Sequence, residues 1–134
     1  MQNYNSKFKN IKYLGVDWGT DRIGLAMADS ETNLAIPYKT VKNIKEVVEV
    51  IKEEEVEKII IGSPLTLRNE EGKNRKRVDE FISELKKKTG LPIETVDERL
   101  TTRLAKSLSG DRKVKAEKDA VSAMLILQTY LDSK

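Results

Sequence analysis

Three strand-like runs lie close together near the start of this chain, and their spacing limits what the chain can fold into. Residues 11–17 and 22–29 each follow an alternating, strand-like pattern, and residues 34–41 form the third run. Because only short turns separate the runs, they predict an antiparallel meander. Pro37 lies inside the third run and cannot donate a hydrogen bond to a neighbouring strand, so we expect this strand at an edge of the sheet.

The second half of the chain alternates helix and strand patterns. A helical pattern that starts at Ile44 precedes KIIIGSP at 58–64, an unbroken β-branched run typical of a strand buried on both faces. A second helical pattern starts at Val78, ends at Gly90 and precedes the strand LPIETV at 91–96, and two further helices are predicted after it. The predicted fold class is therefore α/β, with a mixed five-stranded sheet in which a three-stranded antiparallel meander is joined by parallel strands and flanked by helices.

Length and hydropathy limit the class of protein. The chain has 134 residues, and we expect a single domain over residues 1–134 in which residues 1–10 can form a flexible N-terminal extension. The polar segments 66–76 and 107–117 are predicted to be mobile loops. No run approaches the roughly 18 apolar residues of a membrane span, and the first residues lack the apolar core of a secretory signal. We therefore expect a cytoplasmic protein without membrane partners.

Two residue types are absent from the sequence, and their absence excludes whole classes of chemistry. Without cysteine there are no disulfides, thiol nucleophiles or thiolate metal sites. Without histidine there are no imidazole bases or ligands, and no serine-histidine or cysteine-histidine nucleophile pairs. Any catalysis must therefore use carboxylates, lysines, hydroxyls or a metal ion that is held by oxygen atoms.

Acidic residues follow two of the predicted strands. Asp17 ends the first strand, Asp97 and Glu98 end the strand at 91–96, and Asp119 precedes the apolar part of the last helix. If the first and last strands are neighbours and the final helix packs across them, then Asp17, Glu98 and Asp119 converge at the edge where open α/β sheets place their sites. Clustered carboxylates repel one another unless a cation neutralises them, and oxygen ligands suit Mg²⁺ or Mn²⁺.

Each acidic residue also has a purely structural interpretation. Asp17 can accept hydrogen bonds from amide groups of the turn that follows it. Asp97 or Glu98 can pair with a nearby arginine. Asp119 can stabilise the amino end of a helix through the helix dipole. Taken one at a time, these interpretations compete evenly with metal binding.

Four ordered motifs resemble a known family. They are GVDWGTDRIGLAMAD, IIIGSPL, GLPIETVDERLTT and KDAVSAMLILQTYLD, and together they run from about Tyr13 to Asp132. They resemble the YqgF family, also called RuvX or pre-16S rRNA nuclease, with the older name Holliday junction resolvase. The sequence departs from the family pattern at Ala28, where many members have serine, and in the loop PLTLRNEEG. The resemblance implies a ribonuclease H-like fold and a cytoplasmic hydrolase that acts in ribosome biogenesis by processing the small-subunit rRNA precursor.

The resemblance also implies a catalytic and metal-binding set. It assigns Asp17, Asp119 and one of the pair Asp97 and Glu98 to a two-metal site for in-line phosphodiester hydrolysis with Mg²⁺ or Mn²⁺. Asp17 is the expected shared ligand. We favour Glu98 over Asp97, because Asp97 is nearer the strand and could instead hold the turn. The sequence leaves open whether the enzyme is an endonuclease or an exonuclease.

Basic residues are clustered although the net charge is only +3. Such clusters fit contacts with a phosphate backbone, and the alternative is a set of solvated surface charges. The candidate nucleic-acid-binding residues are Arg22, Arg75, Lys76, Arg77, Arg112, Lys113 and Lys115. Trp18, next to Asp17, either contacts a base or sugar or covers the edge of the core.

Other functions compete with rRNA processing. The same chemistry could resolve branched DNA as a Holliday junction resolvase, which would be expected to act as a dimer, and the sequence leaves both a monomer and a homodimer open. A non-catalytic nucleic-acid-binding scaffold in ribosome assembly or transcription is a further alternative. The stretch GVDWGT also resembles the phosphate-binding turn of actin-like and sugar kinases, but one domain of this length cannot form their two-domain cleft.

Overall fold

A computed structural model describes residues 10–63, 70–97 and 115–134 of the chain. Its elements follow the order predicted from the sequence pattern. Five strands and three helices occur in the described ranges, namely β1 (Lys12–Asp17), β2 (Ile23–Asp29), β3 (Ile36–Val41), α1 (Ile44–Glu54), β4 (Lys58–Ser63), α2 (Glu70–Thr89), β5 (Ile93–Asp97) and α3 (Lys115–Asp132). None of these helices is long and apolar enough to cross a membrane.

The strands form one mixed sheet in the order β3-β2-β1-β4-β5. β2 is antiparallel to both β1 and β3, whereas β4 is parallel to both β1 and β5. The antiparallel meander and the mixed sheet are therefore confirmed. β3 lies at an edge, as Pro37 predicted. Opposite the consecutive residues Leu25 and Ala26, β3 places Lys39 and Pro37, so Tyr38 is an extra residue in a β-bulge.

One condition for the convergence of the acidic residues is not met. The first and last strands, β1 and β5, are not adjacent, because β4 lies between them and pairs with both. Strands in a sheet are spaced about 4.8 Å apart, so the main chains of β1 and β5 are separated by roughly 10 Å. Acidic side chains from β1 and β5 can therefore meet only if they reach across β4.

Helices cover both faces of the sheet. Ile59 and Ile61 of β4 lie in a core with Leu85 of α2, while Ile60 between them lies in a second core with Leu127 of α3. All three isoleucines are fully buried, which confirms that this strand is buried on both faces. Since side chains alternate along a strand, residue parity tells which face of the sheet a side chain occupies: the α1/α2 face or the α3 face.

The two segments predicted to be loops are partly helical. Helix α2 starts at Glu70, within the segment 66–76, and α3 starts at Lys115, within the segment 107–117. The polar composition misled the prediction for α2, because residues 75–77 are exposed and apolar spacing begins only at Val78, which is buried. The remainder of both segments and the helix predicted between β5 and α3 fall outside the described residues.

Candidate active site

Asp17 lies at the carboxyl end of β1 on the face of the sheet that α3 covers. Its partner in the antiparallel ladder is Gly24 of β2, and residues directly opposite each other project from the same face. The face is identified by Gly15, two residues earlier in β1. A Cβ atom added to Gly15 would lie 2.7 Å from Cβ of Leu127 in α3. The half-buried Asp17 is thus oriented towards the layer that contains α3.

Gly24 brings α3 to the same place. A Cβ atom added to Gly24 would overlap the carbonyl group of Asp119 and would lie 2.9 Å from the amide nitrogen of Ala120. The backbone of α3 therefore rests directly on β2 at this point. Gly24 is also the ladder partner of Asp17. The main chains of Asp17, in the sheet, and Asp119, in α3, therefore both lie next to this glycine. The structure thereby brings these two predicted ligands together.

Asp119 has a basic partner from the residue just before β2. Nε of Arg22 donates a hydrogen bond to Oδ2 of Asp119 at 2.6 Å, and the two side chains are 37% and 30% exposed. Arg22 lies in the turn between β1 and β2, two residues before Gly24. The guanidinium thus neutralises one carboxylate of the candidate site. Sequence reasoning assigned Arg22 to phosphate contacts and did not identify this ion pair.

Asp97 ends β5 at the same edge of the sheet but belongs to the opposite face. Ile93 packs against the core of α1 and α2, whereas Val96 packs against the core of α3. Because side chains alternate, Asp97 shares the face of Ile93 and not the face of Asp17. Glu98, the preferred member of the pair, lies outside the described residues.

The acidic side chains in the described part of the chain can be compared with the ligands that a divalent cation requires. Within it, no three acidic side chains are arranged to hold a metal ion. Asp17 and Asp119 nevertheless flank Gly24, and their carboxylate oxygens are ligands that Mg²⁺ and Mn²⁺ prefer. The carboxylate of Asp119 already accepts a cation, Arg22, at hydrogen-bonding distance. The described part of the chain thus supplies two carboxylates of the kind that a divalent cation binds.

The candidate nucleic-acid-binding residues are distributed over several elements. Arg75, Lys76 and Arg77 are exposed near the start of α2. Since α2 carries the chain away from the carboxyl end of β4, its first turns lie towards the edge of the sheet that holds Asp17. Lys115 is the first residue of α3. Arg112 and Lys113 fall outside the described residues.

Trp18 follows Asp17 and is half-buried against the core that α1 and α2 cover. This position matches the interpretation in which Trp18 covers the edge of the core. Two consecutive residues at the end of β1 therefore lie on opposite faces of the sheet. Asp17 belongs to the face of α3, and Trp18 closes the other face.

Sequence reasoning missed the role of Gly24. Its signal was present in the sequence, because a glycine inside a strand pattern often marks a close approach of another backbone. The partner of that approach could not be identified, however, since Asp119 is 95 positions later in the chain. Only the packing of α3 on β2 reveals it.

Solved structures share this fold. RuvC of T. thermophilus, in complex with Holliday junction substrate, matches with a TM-score of 0.62 and 13% identity, covering 92% of this chain and 94% of that chain. A Fowlpox virus resolvase in complex with Holliday junction DNA matches with a TM-score of 0.57 and 10% identity, covering 92% of this chain and 98% of that chain. At such low identity the likeness concerns the fold alone, and it confirms the ribonuclease H-like architecture.

Sequence relatives carry the family assignment. A protein from Maridesulfovibrio salexigens, described as "Putative pre-16S rRNA nuclease", is 36% identical over 132 residues, which cover 90% of this chain and 98% of the relative. A relative with the same description from Sulfurihydrogenibium sp. is 42% identical over 130 residues, covering 90% of each chain. The family model described as "RuvX: Holliday junction resolvase" matches residues 11–133. The chain therefore belongs to the RuvX family of nucleases.

Proposed function

We propose that this protein is a metal-dependent nuclease that hydrolyses phosphodiester bonds of the small-subunit rRNA precursor in the cytoplasm. The observation that carries this proposal is the meeting of Asp17 and Asp119 beside Gly24, on one face of the sheet and at the carboxyl end of β1. The description "Putative pre-16S rRNA nuclease", which both relatives carry, supports the choice of substrate. Neither histidine nor cysteine is needed for this chemistry.

Three carboxylates would hold the metal ions. Asp17 and Asp119 are two of them, and Glu98 is the third. Asp97 is the less suitable alternative, because strand alternation gives it the face that α1 and α2 cover. When bound, Mg²⁺ or Mn²⁺ in a two-metal site would activate a water molecule and stabilise the leaving oxygen of the phosphodiester. The contribution of the chain would be to hold the two carboxylates on β1 and α3, both of which adjoin Gly24.

Basic side chains would position the substrate. Arg75, Lys76 and Arg77 are exposed and lie on the first half of α2, towards the catalytic edge. Contacts of this kind with phosphate groups supply affinity and orientation without reading the sequence of a nucleic acid. The remaining candidates for the same role are Arg22, Arg112, Lys113 and Lys115.

The proposal is tested by cleavage of two labelled substrates, a small-subunit rRNA precursor and a four-way DNA junction, with Mg²⁺ or Mn²⁺ and with EDTA. We expect metal-dependent cleavage of the rRNA precursor by the wild type, and its loss in Asp17→Asn and Asp119→Asn. Asp79→Asn is the matched control, because Asp79 is exposed on α2 and the same change there leaves the site intact. Equal activity of Asp17→Asn and the control would contradict the proposal.

Branched DNA is the second candidate substrate, and the family description supports it. Preferential cutting of the four-way junction would favour a resolvase. A resolvase cuts two strands symmetrically, so it is expected to act as a homodimer, whereas rRNA trimming is possible for a monomer. Light scattering of the protein with and without the junction distinguishes the two. Tight binding of either substrate without cleavage would instead indicate a scaffold in ribosome assembly or transcription.

A further inference from the structure

We propose that Arg22 is an exchangeable counter-ion of the active site. In the metal-free protein it pairs with Asp119, and it gives up the carboxylate when a divalent cation binds there. This inference rests on the proposed function, because it takes Asp119 as a metal ligand. It goes beyond that function by assigning to Arg22 control over how readily the site accepts its metal.

The geometry of the ion pair makes Arg22 the partner that can leave. Nε of Arg22 lies 2.6 Å from Oδ2 of Asp119, which is a short, charge-assisted hydrogen bond. The two ends of the pair differ in how firmly they are held. Asp119 belongs to α3, whose backbone is pressed against Gly24, whereas Arg22 lies in the turn that joins β1 to β2. The backbone that carries Asp119 is therefore held in place, and the guanidinium at the end of the longer Arg22 side chain is the partner that can move away.

The ion pair between Arg22 and Asp119 is open to solvent. Each side chain of the pair is about one-third exposed, so water and ions reach both groups. Ion pairs in such surroundings contribute little to stability and exchange readily. When a buried ion pair opens, its charges are left without solvation. When the pair of Arg22 and Asp119 opens, water can solvate both charges. The cost of separating Arg22 from Asp119 is correspondingly small.

The charges around Gly24 favour exchange of Arg22 for a divalent cation. Asp17 and Asp119 flank Gly24, and two neighbouring carboxylates repel each other unless a cation is present. Arg22 supplies that cation before the metal arrives. A divalent ion bound to the same carboxylate attracts it more strongly than the guanidinium does and repels the guanidinium itself. Exchange of one cation for the other follows from this difference.

Linkage makes the exchange measurable. If metal binding must first break the ion pair, the free energy that the pair contributes to the stability of the metal-free protein is subtracted from the free energy of metal binding. Removing the guanidinium should therefore tighten metal binding, although it removes a native interaction. We expect Arg22→Gln to bind Mn²⁺ about 3- to 10-fold more tightly than the wild type, which corresponds to the modest strength of a partly exposed pair.

The experiment measures Mn²⁺ affinity by electron paramagnetic resonance or calorimetry, with no nucleic acid present. Lys118→Gln is the matched control. It removes the same charge from an exposed residue adjacent to Asp119 in α3, while the carboxylate of Asp119 pairs with Arg22. We expect Lys118→Gln to change the affinity much less than Arg22→Gln does. An equal gain in both variants would show that only the general charge matters and would overturn the exchange.

A second readout follows the ion pair itself. Without metal, Arg22→Gln should melt at a lower temperature than the wild type, because the pair is lost. At saturating Mn²⁺ this difference should disappear, since the wild type has then also given up the pair. A melting-temperature difference that metal leaves unchanged would mean that Arg22 stays on Asp119, and the proposal would be wrong.

Asp17→Asn separates the two levels of the argument. If Asp17→Asn binds Mn²⁺ as tightly as the wild type, the proposed metal site itself fails. If Asp17→Asn loses Mn²⁺ but Arg22→Gln behaves like Lys118→Gln, the metal site stands and the exchange alone fails.

Discussion

The carbonyl group of Asp119 lies directly against Cα of Gly24, so position 24 has no room for a side chain. This contact joins the second turn of α3 to the strand that pairs with the end of β1. The backbone contact therefore sets where the carboxylate of Asp119 lies relative to Asp17. Gly24 acts on the site without providing any chemical group of its own.

Gly24→Ala is expected to impair the site by moving α3. The new methyl group would meet backbone atoms of Asp119 and Ala120, which cannot rotate aside as a side chain would. We expect a loss of about 1–3 kcal/mol in the free energy of unfolding, as is typical of overpacking, together with weakened Mn²⁺ binding and cleavage. Urea denaturation, Mn²⁺ titration and the cleavage assay measure these effects.

Gly15→Ala is the control for this change. Its added methyl group would also crowd α3, at 2.7 Å from Cβ of Leu127 and 2.8 Å from the carbonyl oxygen of Ala123. These contacts lie at least one turn of helix beyond Asp119. We expect a comparable loss of stability with better retention of Mn²⁺ affinity. Unchanged Mn²⁺ affinity in Gly24→Ala would contradict a positioning role for Gly24.

The basic triplet of α2 should control the salt dependence of nucleic-acid binding. If Arg75, Lys76 and Arg77 each contact a phosphate group, changing all three to Gln lowers the slope of log K against log salt by up to about 2.7 for duplex DNA. The control is the triple change of Lys86, Lys87 and Lys88, which are also exposed but lie at the other end of the helix, roughly 16 Å away. Fluorescence anisotropy over a salt series provides the slopes.

Equal slopes for the two triple variants would argue against a specific contact at the start of α2. In that case the triplet would be a solvated surface, the structural alternative for these charges.

Leu127→Ala is expected to destabilise the fold strongly. Leu127 is fully buried in the core between α3 and the sheet. Removing its side chain creates a cavity, and we expect a loss of about 2–5 kcal/mol in the free energy of unfolding. Leu34→Ala is the control, since Leu34 is 61% exposed and its truncation should change stability by less than about 0.5 kcal/mol. Chemical denaturation distinguishes them, and similar losses for both would refute the packing described for α3.

A hydrogen bond from Tyr38 lowers the pKa of one glutamate. The hydroxyl of Tyr38 donates to Oε2 of Glu54 at 3.0 Å, and Nζ of Lys12 lies 3.3 Å from Oε1. The bond from Tyr38 is the larger cause that holds the pKa of Glu54 below its usual value, and the same contact raises the pKa of Tyr38. Since folding favours ionised Glu54, its contribution to stability is present above the usual pKa and is lost as the pH falls through the lower pKa of the folded state.

Tyr38→Phe tests this relationship. We expect the pKa of Glu54 to rise towards its usual value, as followed by an NMR titration of its carboxyl carbon. Tyr130→Phe is the control, because the hydroxyl of Tyr130 accepts a hydrogen bond from Lys58 rather than contacting Glu54. A pKa of Glu54 that responds equally to both changes would show that the hydroxyl of Tyr38 is not the cause.

Local pattern was enough to predict most of the fold. Alternation in β1 and β2, the β-branched run of β4 and the position of Pro37 in β3 each reflect the environment of single side chains along an element. The prediction was wrong where that information is weak. The first turns of α2 have no apolar stripe until Val78, so hydropathy alone did not distinguish helix from loop there.

The sequence by itself determined the available chemistry, since a chain without cysteine or histidine has carboxylates as its main metal ligands. It also determined the placement of Asp17 at a strand end, because the apolar run stops there. Only the tertiary structure decided which groups meet: Asp119 beside Gly24, Arg22 on Asp119, and Asp97 on the opposite face. These relationships join residues that are distant in the chain, and they depend on how closely α3 packs and on strand register, neither of which a local pattern contains.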